Sequence, residues 1–300
     1  MGSEEIKRWA AGIILSYSVI NQTTYMKKFL VPTDFSDTAK NAARYAVEMA
    51  SNVPGASLVL YNVYDKLSPG VDGTPLAETD EDRTTVLNAA LANLEIELHE
   101  ISSVKIEYVA ELGSSLVESI EKYVRYNGIN LVIMGITGST KLEQIFIGSN
   151  ALNMAREGVC PVIIVPPKAR YRKIENVVLA SDFKNVKTTT PVSQIKGVLD
   201  AFKPNLHIVN VDSEHYVELT DEYKKEKGWF EKLFAEYNPQ FYFIRMFDFL
   251  DAISNFTVDK QIDLIVTVPR KHSFLRGLFK TSHTKKLAYH SHIPIVAIPE

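Results

Sequence analysis

The feature that most constrains this chain is that it repeats itself. Val31-Pro-Thr-Asp-Phe35 is echoed by Leu179-Ala-Ser-Asp-Phe183, and Leu58-Val-Leu-Tyr-Asn-Val-Tyr64 by Leu206-His-Ile-Val-Asn-Val-Asp212, both at an offset of 148 positions. Cys160-Pro-Val-Ile-Ile-Val-Pro166 returns as Ile293-Pro-Ile-Val-Ala-Ile-Pro299, now at an offset of 133. A chain that carries one supersecondary pattern twice is expected to fold as two similar units. The shrinking offset means that 15 residues are missing inside the second repeat, and the Pro- and Gly-containing insert Lys66 to Asp80 is the natural candidate. A connection of that length reads as a lid or a disordered insert.

Within each repeat, short β-branched runs alternate with longer helix-like segments, the signature of a parallel sheet covered by helices. In the first repeat strands are expected at Phe29–Thr33, Ser57–Tyr64, Val104–Ala110, Leu131–Gly135 and Pro161–Pro166. Helices are expected at Asp37–Ser51, Asp82–Ser102, Ser114–Asn127 and Ser149–Glu157, with Gly128 and Gly158 as stops. At 300 residues and 46% hydrophobic, the chain can build two proper cores. The expected division is an N-terminal extension over 1–25 and domains over 26–167 and 168–300. In the extension, the apolar run Trp9 to Ile20 is 12 residues long, short of a membrane span of about 20. Glu4 and Glu5 precede Lys7, unlike a secretory signal, so the segment reads as an upstream start or a docking arm.

The formal charge of −3 and pI near 6.2 argue against wholesale nucleic-acid binding. Lys27 to Pro166 holds 11 basic and 18 acidic residues, whereas Lys168 to Glu300 holds 20 and 16, so the halves should attract. Much of the basic excess lies in 268–286, where Arg270, Lys271, Arg276, Lys280, Lys285 and Lys286 are interleaved with Phe274, Leu275, Leu278 and Phe279. That stretch reads as a solvated loop, or as a surface for an anionic, membrane-surface or protein partner. The lone Cys160 cannot form an internal disulfide and reads as a small buried hydrophobe, and a cytoplasmic location is the expectation. His272, His283, His290 and His292 crowd one region without an established metal-ligand spacing, and Glu95 and Glu97 read as solvated helix faces. No catalytic triad or metal-hydrolase motif is present, so no catalytic residue is assigned.

The segment GITGSTKLEQIFIGSN, Gly135 to Asn150, carries the chemistry. In a doubly wound sheet of order 3-2-1-4-5, ligands bind at the carboxyl ends of strands where the winding reverses, which brings Asp34 and Gly135 to one crevice. Gly148-Ser149 then opens a helix whose free N–H groups face that crevice, an anion-binding arrangement. Gly135 and Gly138 would admit close backbone approach. Asp34 has a second reading, as a cap for the helix beginning near Asp37, because its counterpart Asp182 survives in the second repeat.

The spacing Gly135-x2-Gly138-x9-Gly148-Ser149, with Val31-Pro-Thr-Asp34, Asn62-Val63 and Cys160-Pro-Val-Ile-Ile-Val165 around it, resembles the universal stress protein family. The likeness spans both repeats, roughly 27 to 300, and implies a tandem chain of two adenine nucleotide alpha hydrolase-like units. It implies ATP, with or without Mg²⁺, held by Pro32, Thr33, Asp34, Val63, Met134, Gly135, Gly138, Gly148, Ser149 and Asn150. The base would lie near Val63 and Met134, the ribose near Asp34 and Gly135, and the phosphates on Gly138 and Gly148 to Asn150. Ile136 and Thr137 depart from the family pattern, in which a polar or basic residue often stands between the first two glycines. In the second repeat Gly135, Gly138 and Gly148 become Val268, Lys271 and Thr281, and only Ser282 remains opposite Ser149, so one site per chain is expected. The resemblance implies an ATP-binding stress-response regulator; a weak ATP hydrolase or phosphotransfer enzyme and a non-nucleotide scaffold remain as alternatives. Single-domain members dimerise through the last strand, so Pro161–Pro166 and Pro294–Pro299 are expected to pair antiparallel and make the chain a pseudo-dimer, which further self-association could extend.

Overall fold

A computed structural model describes residues 27–66, 79–136, 149–212, 220–246, 249–269 and 292–299. Residues 1–26, most of the 66–80 insert, Gly138, Gly148 and residues 270–286 of the basic stretch lie outside the described residues. The first half runs β1 (Lys28–Pro32), α1 (Asp37–Ser51), β2 (Ser57–Tyr64), α2 (Asp80–His99), β3 (Lys105–Leu112), α3 (Leu116–Asn127), β4 (Leu131–Gly135), α4 (Ser149–Glu157) and β5 (Val162–Val165). The second half follows with β6 (Asn176–Ala180), α5 (Val186–Thr189), α6 (Val192–Phe202), β7 (Asn205–Asp212), α7 (Asp221–Leu233), β8 (Gln240–Arg245), α8 (Phe249–Asp259), β9 (Leu264–Thr267) and β10 (Ile295–Ala297).

Among the described residues ten strands form one sheet in the order β3-β2-β1-β4-β5-β10-β9-β6-β7-β8. Each half is parallel and wound 3-2-1-4-5, and the halves meet where β5 and β10 pair antiparallel, with Ile164 opposite Ile295, Ile163 opposite Val296 and Val162 opposite Ala297. Strands buried on both faces read as near-continuous apolar runs, and β5 (VIIV) and β10 (IVA) are buried throughout. Successive residues serve opposite layers. Ile163, Val165 and Val296 join a core with α1, α2, α6 and α7, whereas Val162, Ile164, Ile295 and Ala297 join a core with α3, α4 and α8. Both cores therefore run unbroken through the seam.

Local chemistry sets the element ends. α2 begins at Asp80, two residues earlier than the apolar spacing suggests, because Thr79 and Asp82 form a reciprocal capping box: Thr79 Oγ1 accepts from Asp82 N at 3.1 Å and Asp82 Oδ2 accepts from Thr79 N at 3.0 Å. Gly128 ends α3 in the left-handed region, with φ of 65°, a conformation glycine adopts without steric penalty. The amides that open β1 and β6 are held alike. Asn130 Oδ1 accepts from Lys27 N and Lys28 N at 3.0 and 3.1 Å, and Asp263 Oδ2 accepts from Glu175 N and Asn176 N at 2.9 and 3.0 Å. No helix among the described residues is long and apolar enough to cross a membrane.

Candidate functional site

The winding reverses between β1 and β4, which pair through Phe29 with Leu131 and Leu30 with Val132. Carrying that register forward places Thr33 level with Gly135 at the carboxyl ends of the two strands. The chain then turns sharply. Phe35 adopts φ of 61°, unusual for a residue with a Cβ, and Thr33 Oγ1 accepts from Phe35 N at 3.0 Å. Asp34 Oδ1 accepts from Ser36 N at 3.0 Å and from Ser36 Oγ at 2.5 Å, and Ser36 in turn caps α1 by accepting from Ala39 N at 3.3 Å. Asp34 is thus not the cap; it positions the serine that is.

The same turn exists in the second half. Phe183 has φ of 53°, Ser181 Oγ accepts from Phe183 N at 3.1 Å, and Asp182 Oδ1 accepts from Lys184 N at 3.1 Å. The turn is therefore built by local hydrogen bonding, independently of the glycines that only the first half carries. One polar side chain per half ties it to the neighbouring strand: Asn62 Nδ2 donates to Thr33 O at 2.8 Å, and Asn210 Nδ2 donates to Ser181 O at 3.0 Å. In the first half, Asn62 Oδ1 is buried without a hydrogen-bond partner among the described residues. Buried polar atoms are seldom left so. Asn62 stood in the sequence only as part of a family-like stretch; the stronger signal was a polar residue recurring as Asn210 in an apolar strand.

Met134 of β4 is buried in the core layer that also holds Ala151 of α4, and Val63, two strands away on β2, packs against the same layer. Pro32 and Thr33 are buried, while Asp34 and Asn150 are exposed. Ser149 opens α4.

Gly135 has a packing explanation of its own. A Cβ there would lie 2.8 Å from Thr38 O and 3.3 Å from Ala39 N, both in the backbone of α1's first turn. The helix rests directly on the strand end, and no side chain fits between them. In the second half Val268 takes this place, and the corresponding helix is interrupted: α5 spans four residues, its Asn185 cap makes no side-chain hydrogen bond, and Pro191 separates it from α6. Glu226 of α7 supplies the cap instead, accepting from Val186 N at 2.7 Å. Thr267, the counterpart of Met134, is fully enclosed with its hydroxyl unpartnered among the described residues.

Cys160 is buried, and burial pushes its thiol up to about 12, so it is a protonated, inert small hydrophobe as the sequence suggests. Glu97 reaches Lys40 at 3.5 Å and Arg44 at 3.9 Å, linking α2 to α1, and Glu95 lies 3.4 Å from His99. Among the described residues no group of three or more His, Cys, Asp or Glu side chains could hold a metal ion.

Comparison with known proteins agrees with this architecture. Residues 26–166 match the model of the universal stress protein family. Two universal stress proteins of Methanocaldococcus jannaschii are similar in sequence, one 27% identical over 157 residues, covering 51% of this chain and 89% of the relative, the other 28% identical over 158 residues, covering 47% and 96%. Among solved structures, a universal stress protein from Archaeoglobus fulgidus matches 92% of this chain and 98% of its own with a TM-score of 0.62 at 17% identity. A protein of unknown function from Pseudomonas aeruginosa matches 93% and 94% with a TM-score of 0.57 at 16% identity. At those identities the structural likeness speaks for the fold, and it extends over both halves. Residues 26–166 therefore form a universal stress protein domain, and the second half repeats its fold.

Proposed function

We propose that the first half binds one adenine nucleotide, ATP with or without Mg²⁺, and that the chain is a stress-response regulator that reports nucleotide status through shape, with little or no turnover. The observation that carries this reading is the buried, unpartnered Asn62 Oδ1 beside Thr33 at the switch point of the first sheet half. An acceptor left bare in the interior costs free energy, and a ligand bearing hydroxyl or amino donors would relieve it. The apolar surface of Met134 and Val63 suits the face of a base. Asp34 is exposed beside them, and the opening of α4 at Ser149 and Asn150 offers backbone N–H groups for phosphates. Gly138 and Gly148 belong to the same proposal by their spacing in the sequence.

Bound ATP would supply a polyanion that draws the ends of β1, β2 and β4 toward the start of α4. The chain's own part is to hold it: Asn62 is clamped by its bond to Thr33, and Asp34 is held by Ser36. Asp34, the one carboxylate among these site residues, has its Oδ1 committed to Ser36, which favours a binding role over hydrolysis. The reading takes 26–167 and 168–300 as two units, with the nucleotide in the first alone. Titration calorimetry of the whole chain with ATP is expected to give one site. Gly148→Val, which puts a branched side chain where phosphate would lie, is expected to abolish it with the fold intact by circular dichroism. Two equivalent sites, or none, would refute the proposal.

A further inference from the structure

We propose that the seam between the two halves carries a second ligand site, separate from the nucleotide crevice, that takes a compact polyanion of the condensed-phosphate class. A cleft of about 590 Å³ opens there, lined by Tyr45 of α1, by Lys168, Arg170 and Arg172 of the segment joining the halves, and by residues flanking β6 and β10. That volume lies within the roughly 300–1,000 Å³ typical of small-molecule sites. It can exist only where both halves meet, because its walls come from α1 on one side and from α8 and the approach to β10 on the other.

The joining segment explains why three cations share one wall. After β5 the chain buries Ala169 and Ile174 and half-buries Tyr171, leaving Lys168, Arg170 and Arg172 exposed between them. Alternate residues of an extended chain point to opposite sides, so docking Ala169 and Tyr171 turns Arg170 and Arg172 outward together, while Lys168 is presented by the turn that Ala169 N closes on Pro166 O at 3.0 Å. The segment is also fixed in place. Asn41 of α1, itself buried, donates to Pro166 O at 3.1 Å and Ala169 O at 3.3 Å, and the Arg170 guanidinium donates to Asn41 Oδ1. Preformed guanidinium and ammonium donors of this kind suit phosphate oxygens.

The acids of the cleft are already engaged. Asp263 accepts from the amides of Glu175 and Asn176, the task that neutral Asn130 performs in the first half, and Glu175 pairs with Lys173 at 2.8 Å. Lys168 and Arg172 have no carboxylate partner among the described residues. A second, independent observation concerns Tyr45. Its side chain is 3% exposed, it lines the cleft, and its ring packs edge-on against Tyr171 at 5.6 Å. Its hydroxyl makes no hydrogen bond among the described residues and, unlike its ring, is not fully enclosed, so it opens on the cleft. Burial, with Tyr171, Asp263 and Glu48 nearby, keeps that hydroxyl protonated, so it is a donor facing a site of donors.

The test is calorimetric titration of the whole chain with inorganic tripolyphosphate, for the natural sequence, for Lys168→Gln with Arg172→Gln, for Tyr45→Phe, and for Lys225→Gln. Lys225 is exposed on α7 and does not line the cleft. Binding is expected in the natural chain, weakened about tenfold or more by the paired change, the scale of one charge-assisted hydrogen bond. Tyr45→Phe, which keeps the ring packing, should weaken it several-fold. Binding should persist in Gly148→Val, which separates this site from the nucleotide crevice, and competition by ATP in that variant tells whether the phosphate comes from a nucleotide or from an inorganic chain. Absence of binding in the natural chain, unchanged binding in the paired variant, or an equal loss from Lys225→Gln would each overturn the proposal.

Discussion

Gly135 shows how a single missing Cβ can be read in two ways. Sequence reasoning treats a glycine at a strand end near a ligand crevice as room for the ligand, yet here the room is filled by the backbone of Thr38 and Ala39. Gly135→Ala is therefore expected to destabilise the fold by about 1–3 kcal/mol, the usual scale of overpacking, because α1 must lift from β4. Urea denaturation measures this, and an unchanged midpoint would mean that the helix can slide. Asp34 was legible as a residue that matters, but its two readings could not be separated from sequence, because the proposed ribose contact and the turn at Ser36 both ask for a carboxylate at that position. Asn62 was nearly invisible for a different reason: the cost of an unpartnered oxygen appears only once burial is known.

At the scale of elements, α1 and α4 match their expected bounds, Asp37–Ser51 and Ser149–Glu157, because apolar spacing and polar flanks agree there. α2 differs from expectation by two or three residues at its ends and β3 by one or two, where side-chain caps and ladder pairing decide and periodicity does not. The packing of β7 on α8 adds an element the repeat pattern hides. His207 stands on β7 at 6% exposure, its ring tilted against Tyr242 and edge-on to Phe256, with Nδ1 3.3 Å from the Tyr242 hydroxyl and Nε2 unpartnered among the described residues. Burial, and then the charge of Lys260, lowers its pKa below the usual 6.5. The unfolded chain therefore takes up this proton more readily, and stability present in full above about pH 6.5 is lost as pH falls below it. Denaturation midpoints between pH 7.5 and pH 5 should fall more steeply in the natural chain than in His207→Gln. Equal slopes would remove His207 from the account.

At the scale of the whole molecule, the described residues form one sheet with a core on each face, and the strand order of each half was the part most legible in the sequence, because a repeat fixes topology twice over. The cleft at the joining segment was not legible, since it depends on α1, α8 and the approach to β10 meeting across more than a hundred residues of chain. Without the second half, β5 would be a bare, apolar edge, which invites pairing with another chain. Residues 26–167 expressed alone are expected to form a homodimer through β5 by light scattering; a fragment that stays monomeric and soluble at high concentration would count against the shared edge. The antiparallel seam also has a consequence in time. β10 is made more than a hundred residues after β5, so at about 5–20 residues per second a nascent chain carries that sticky edge for on the order of ten seconds before its own partner emerges. Neighbouring ribosomes on one message would hold several such edges close together, so faithful pairing within one chain becomes a contest between translation speed and encounter with the chain ahead.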